Sequence, residues 1–434
     1  MKKVFFYILI TLLLFSSCKK SNIEPDNNDT IAVTAAQARD TLYYIMKQWY
    51  YWYDKMPTVT KENYADPYEL LEALRYKELD KWSFVADYDE FSATLQGIFV
   101  GHGIRIGLDE DSIVRIALIY KNSPLYSEGV RRGWIIKEIN DVEMAPILIA
   151  QDYEAYNNVL GPAVAGRTNK FLFQKPDSSE VTISSTKASF NVNTVILYET
   201  LNLSSGVTGH LVLESFVDPT VQELITAFAY FKSHNVKDLI IDLRYNGGGY
   251  LYIARQLASY IGGNGLAGTT FAALSYNNKM QAANQIFPFI STSYSLSLPR
   301  IVVITTRMTA SASEAVMNGL DPHIDIVSVG DTTNGKPVGM NGWSVGKKYF
   351  FWPITFKLVN SSNEGDFFDG FAPDKIATDD ITHDFSDRNE ECLKEAILYL
   401  ETGSFSGKGI QDFSRSVQFA EKPTMVNNTY VLQK

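Results

Sequence analysis

Three short stretches of this chain hold residues that could do chemistry together. The first is T-A-S-A-S-E (309–314), where Ser311 and Ser313 stand at the start of a helical pattern that opens near Ala312. Unpaired N–H groups at a helix amino terminus favour a developing anion. A serine placed there can attack a carbonyl once a base takes its proton. A plain helix cap uses the same residue type, so the serine alone decides nothing. The second stretch is N-G-K (334–336), behind the strand pattern I-V-S-V-G. An amine has an ordinary pKa of ~10.4, and burial lowers it, so a buried Lys336 could act as a base. A solvated Lys336 could not. The third stretch is D-L-R-Y-N-G-G-G (242–249). Its three glycines allow backbone N–H groups to approach an oxyanion closely. The spacing is not G-x-G-x-x-G, which excludes a dinucleotide loop. Rivals remain open at this level. Ser313 competes with Ser311. His323, twelve residues after Ser311 and close to Asp321 and Asp325, offers a Ser–His–Asp alternative. Five scattered His and two Cys form no metal-ligand pattern, so neither metal nor cofactor is expected.

The elements that must position these residues are legible as patterns. D-L-I-I-D-L (238–243) and I-V-V-I-T-T (301–306) read as strands buried on both faces, and they end at the glycine turn and the serine turn. With the amphipathic helix pattern at 219–232, they make residues 189–404 an α/β domain. Residues 96–188 hold short β-like runs such as 113–120 and 170–174, separated by turn residues. Residues 33–95 read as a small helical domain without chemistry of its own. One helix opens after Thr34 and is broken by Pro57; a second is capped by Asp66 with Pro67 at its first position. Residues 405–434 are polar, lack strong periodicity, and read as an extension packed on the rest or partly disordered. Cys392 lies in a helical pattern and reads as a small buried residue. The fold class expected is a multidomain α+β chain.

Taken together, D-L-R-Y-N-G-G-G, T-A-S-A-S-E and N-G-K resemble the carboxy-terminal processing, or tail-specific, proteases. The stretches G-H-G-I-R-I-G (101–107) and N-S-P-L-Y-S-E-G-V-R-R-G-W-I-I-K-E-I-N-D-V (122–142) resemble a PDZ domain. The resemblance covers about residues 96–404. It implies a PDZ-like domain joined to a crotonase-like α/β protease domain with a Ser–Lys dyad. In the family pattern the nucleophile stands three residues before the Glu and the lysine 25 residues after the serine; these map onto Ser311, Glu314 and Lys336. The implied oxyanion hole draws on Ala312 and on Gly248 or Gly249, with Asn246 and Glu314 in support. Gly101, His102, Gly103 and Ile104 correspond to the loop that holds a peptide's terminal carboxylate. The implied partner is a protein or peptide substrate. Three positions depart from the family pattern. Trp134 stands where Asp is usual and Asp141 where Gly is usual. Met340 stands where many relatives carry a Gln that orients the lysine, with Asn341 beside it as a substitute. A non-cutting binder of peptide tails or carbohydrate on the same fold is the alternative reading.

The amino terminus carries a separate message. Lys2 and Lys3 precede an apolar run, Val4 to Phe15, too short to span a bilayer comfortably. Its ending L-F-S-S-C resembles the bacterial lipoprotein signal, which implies cleavage after residue 17 and acylation of Cys18. Residues 18–32 are polar and read as a tether. The expected location is exported and lipid-anchored at the outer membrane, on its periplasmic or surface face. A net charge of −10 with no long basic run excludes a nucleic-acid partner. Oligomeric state is not legible.

Overall fold

A computed structural model describes residues 33–407 and the backbone of 418–420 and 430–432. The signal, the tether and Cys18 lie outside the described residues. No helix among the described residues is long and apolar enough to cross a membrane.

The chain begins with helix Ala35–Trp49. Thr34 caps it, its hydroxyl accepting from the Gln37 N–H at 3.2 Å. This helix ends eight residues before Pro57, earlier than the sequence pattern suggests. The reason is tertiary: Tyr50 turns away to give its hydroxyl to Asp80 Oδ2 at 2.7 Å, and the Tyr51 N–H bonds Ile354 O. Helix Pro67–Leu74 follows, capped by Asp66 through the Tyr68 and Glu69 N–H groups. The helical section packs onto the rest of the chain. Ala38, Leu42 and Leu70 share one apolar core with Phe216, Leu251 and Trp352, and the described residues from Val33 onward belong to one unit.

The β-rich section keeps its own core, built around Ile106, Ile116, Leu125, Ile136, Phe171 and Phe173. Its sheet runs Ile104–Leu108, Val114–Ile119, Ile135–Ile139, Thr168–Gln174, Glu180–Thr186, all antiparallel. Asp141, which replaces the usual Gly, adopts φ 62° beside Asn140 at φ 54°. Asp and Asn tolerate that left-handed turn better than most residues, so the departure leaves the turn intact. Trp134 packs edge-on against Phe173.

The α/β section is built on a six-stranded sheet ordered Val195–Leu203, Gly206–Leu213, Asp238–Asp242, Arg300–Thr305, Asp325–Gly330, Lys375–Ile376. Only the first pair is antiparallel. The central strands are buried throughout, as their unbroken apolar runs require. Helix Glu391–Thr402 packs on this sheet, with Cys392 buried in it. A second six-stranded sheet, described below, closes the site from the other side.

Candidate active site

The strand Arg300–Thr305 delivers the chain into a turn, and helix Ala312–Leu320 starts directly after Ser311. Ser311 has φ 63° and ψ −115°, a conformation a non-glycine residue adopts only under constraint, at about 1–3 kcal/mol. The constraint is visible. Thr309 Oγ1 donates to Leu243 O at 2.8 Å and the Ala310 N–H to Asn246 O at 3.1 Å. Ser313 Oγ donates to Asn246 O at 2.9 Å. The rival serine is therefore a tie between the helix and the glycine turn. Ser311 Oγ, in contrast, is buried without a hydrogen-bond partner. A buried hydroxyl left unpaired costs free energy, and it marks a group kept available for something else.

Lys336 is fully buried. Burial drives its amine well below the ordinary lysine range, and the opposing pull of Asp80 and Glu314 is too weak to restore it. Nζ lies 3.9 Å from Met340 Sδ and 5.9 Å from the centre of the Trp82 ring. Met340 thus stands against the amine, but a thioether is only a weak acceptor. Asn341 does not substitute for the missing Gln, because its Oδ1 accepts from Thr355 Oγ1 at 2.7 Å. Since Ser311 Oγ has no partner, Nζ and Oγ are not hydrogen-bonded in this conformation.

Glu314 ties the two halves together. Its Oε2 accepts from the backbone N–H of Ser311 at 2.8 Å and of Lys336 at 2.9 Å. Its Oε1 accepts from Thr333 Oγ1 at 2.6 Å and the Gly335 N–H at 2.7 Å. Burial raises the carboxyl pKa, and these four donors work against that rise.

The glycine turn lies against Ser311. A Cβ on Gly248 would fall 2.7 Å from Ser311 Cβ and 3.0 Å from Ala312 N. The expectation that Gly248 offers a free N–H needs correcting: that group donates to Asn246 Oδ1 at 2.9 Å. Asn246 is anchored in turn by donating to Leu213 O at 3.1 Å. Gly249 sits in a short strand against Phe216, where a Cβ would meet Phe216 O at 2.2 Å. Gly248→Ala combines the 2.7 Å approach to Ser311 Cβ with φ +108°. It is expected to cut labelling of Ser311 by a serine-reactive phosphonate roughly 100-fold or more. Gly265→Ala, with nothing within 4 Å, is the control expected to label normally.

Other expected residues fall elsewhere. His323 lies beyond the far end of the Ala312–Leu320 helix, about 14 Å along its axis, and bonds Ser361 Oγ through Nε2. The His102 side chain is turned into the β-rich core. Its ring nitrogens meet Ser185 Oγ at 2.9 Å and Asn169 Oδ1 at 2.8 Å, and burial lowers its pKa to about 4. The side chain is therefore a core tie, and only backbone of the Gly101–Ile104 segment is left to meet a peptide. A cleft of about 40 Å³ beside Gly247 is lined by Ile98, Phe99, Tyr120, Val217 and Glu214.

Residues 207–376 match peptidase family S41, and residues 37–84 match the S41 N-terminal domain. The chain belongs to peptidase family S41. Over 250 residues it is 24% identical to the carboxy-terminal processing protease CtpB of Bacillus subtilis (strain 168), across 57% of this chain and 48% of that protein. The chain thus spans about half the length of the curated relative it matches. A solved S41-family structure from Bacteroides fragilis NCTC 9343 superposes with a TM-score of 0.66 at 22% identity, over 84% of this chain and 97% of that one. At that identity the likeness is one of fold.

The two matched S41 regions meet at Lys336. Asp80 and Trp82 come from the N-terminal match, and sequence reading assigned that region no chemistry. Asp80 Oδ1 takes the N–H groups of Trp82 and Ser83, and Trp82 Nε1 donates to Asn334 Oδ1 at 3.3 Å. Asp80 is local turn chemistry in sequence, and nothing there links it to a lysine 256 positions away.

A buried charge network reaches from the glycine turn into the β-rich section. Arg244 donates to Asp242, Asp379 and Glu390. Arg132, from the β-rich section, donates to the Tyr245 hydroxyl and to Asp379. Tyr245 is the residue before Asn246, so both sections bear on the turn that cradles Ser311.

Proposed function

We propose that this S41 chain is a serine peptidase that cuts exported proteins or peptides through Ser311 and Lys336. One observation carries the reading: a strained, buried serine with an unpartnered hydroxyl shares a carboxylate tie, Glu314, with a buried lysine whose amine is driven toward neutrality. Neutral Lys336 takes the proton from Ser311 Oγ, which attacks the peptide carbonyl. The collapse of the tetrahedral species expels the amine, which takes the proton back from Lys336. Water then attacks the acyl-enzyme and frees the serine. The Ala312 N–H at the helix start, with the Gly249 backbone, faces the oxyanion. Proton transfer requires Nζ to move from Met340 to Ser311 Oγ, a tightening that catalytic hydrogen bonds often undergo only when substrate binds.

The β-rich section, in this reading, is a PDZ-like domain that holds substrate tails. Cys18 carries the lipid anchor, and the chain faces the periplasm or the surface from the outer membrane. The name of the B. subtilis relative supports the tail-processing character. The test is cleavage of an unfolded protein such as casein. The native chain is expected to cut it, and Ser311→Ala to lose activity by roughly 10⁴-fold or more with an unchanged melting curve. Equal turnover by both proteins would remove Ser311 from the chemistry. No turnover by either, with retained peptide binding, would favour the non-cutting alternative, to which Met340 beside Lys336 lends support.

A further inference from the structure

The strip of sheet beside the catalytic pair is occupied by this chain's own C-terminal end. The second six-stranded sheet runs Gly249–Tyr250, Tyr430–Leu432, Val338–Asn341, Ile354–Val359, Thr270–Tyr276, Gln285–Pro288. The strand Tyr430–Leu432 is parallel to both of its neighbours. Tyr430 stands opposite Gly249, Val431 opposite Tyr250 and Met340, and Leu432 opposite Asn341. Adjacent strands lie about 4.8 Å apart, so removing this one leaves a slot about 9.5 Å wide, room for one extended peptide. Gly249, adjoining the Gly248 that lies against Ser311, forms one wall. The strand starting at Val338, two residues after Lys336, forms the other.

The same C-terminal segment makes a second strand contact. Gln418–Ala420 pairs antiparallel with Ile104–Leu108, Gln418 opposite Gly107, Phe419 opposite Ile106 and Ala420 opposite Arg105. It covers the outer edge of the β-rich sheet and runs toward the Gly101–Ile104 segment. Both contacts use backbone edges that would otherwise stay unpaired. Strand addition to such an edge is a general way to bind an extended peptide, because backbone groups supply affinity whatever the side chains.

We infer that the C-terminal segment is an internal competitor for substrate: an extended peptide uses the same two strand edges, and residues 418–420 and 430–432 hold them closed. This rests on the peptidase reading above. It agrees with a nucleophile that is wholly buried, since Ser311 must be uncovered before a peptide carbonyl can reach it. A tethered competitor acts at high effective concentration. If it fills the slot nine-tenths of the time, the apparent KM rises about ten-fold while kcat is unchanged.

The experiment compares the full chain with its Val431→Pro variant, in which a central strand residue loses its N–H and its pairing. Two readouts are taken: casein cleavage, and fluorescence anisotropy of a labelled synthetic peptide of residues 418–434. The expected result is a KM lower by about ten-fold in V431P with kcat unchanged, and tighter binding of the labelled peptide. Cleavage with the same KM in both proteins, or labelled peptide bound no more tightly by V431P, overturns the inference. If neither protein cuts but V431P binds the peptide more tightly, the peptidase reading fails while the occupied slot stands. Should V431P not fold, Leu432→Pro at the end of the same strand gives the same readouts.

Discussion

Replacing Lys336 by Met is expected to lower kcat by roughly 10³–10⁴-fold and to leave the fold as stable as before or more so. The two effects separate because, in the proposed mechanism, the lysine would serve chemistry at the expense of stability. Its amine is fully buried, with a thioether acceptor beside it and the Trp82 ring beneath it. Met has similar length and no charge to desolvate. The pH dependence has a definite sign. The folded pKa is lowered below the unfolded value of ~10.4. Between the two values the unfolded chain holds a proton that the native chain lacks, so stability rises with pH across that window. Below the folded pKa the full cost of burying the cation is present. Urea midpoints measured against pH should therefore show a smaller upward slope toward alkaline pH in K336M than in the native chain. Groups common to both proteins cancel in that difference. Peptide turnover by the native chain should rise with pH as the amine deprotonates. Unchanged turnover in K336M would remove the lysine from the mechanism. An identical pH slope would show that its proton is not coupled to folding.

Arg244→Met is expected to be the most damaging change to the fold. The Arg244 side chain is 1% exposed and faces three carboxylates: Asp242 at 2.8 Å, Asp379 at 2.9 Å and Glu390 at 2.6 Å. Burial opposes its charge, but the surrounding carboxylates outweigh burial and hold it protonated. Removing one partner of a buried ion cluster costs about 3–5 kcal/mol, because the remaining charges stay buried without compensation. A typical domain has only about 5–15 kcal/mol in total. Arg132 remains near Asp379 at 3.4 Å, but its other bonds go to the Tyr245 hydroxyl and to backbone carbonyls, which leaves Glu390 and Asp242 to Arg244. The measurement is the urea midpoint with soluble yield. Arg244→Lys should recover less than half of the loss, since one ammonium cannot bridge three carboxylates. A midpoint for R244M within experimental scatter of the native value would refute this account.

Much of the site was legible because its parts are local. The run 301–306, the turn and the helix from Ala312 are contiguous, so periodicity alone placed Ser311 at a helix start. The glycines at 247–249 followed from their own strand in the same way. The spacing to Glu314 and Lys336 then selected among serines through the family resemblance. Periodicity could not show that Ser313 is committed to Asn246 O, or that Gly248 gives its N–H to Asn246 Oδ1. The first depends on the meeting of two turns more than 60 residues apart; the second is a side-chain bond inside the glycine turn, which apolar period does not report.

Apolar period, caps and turn residues act over a few positions, so the class of most elements and the residue types available for chemistry could be read along the chain. What those residues face depends on contacts between distant segments. Lys336 carries no mark of burial in N-G-K; its environment comes from Trp82, Met340 and the sheet around them. The helical section looked independent because its stripe is amphipathic, yet that stripe is buried in the core it shares with the α/β section, and the chain just after it supplies Asp80 and Trp82. The polar C-terminal extension showed no period, since a strand added to an existing edge is held by backbone pairing and needs none.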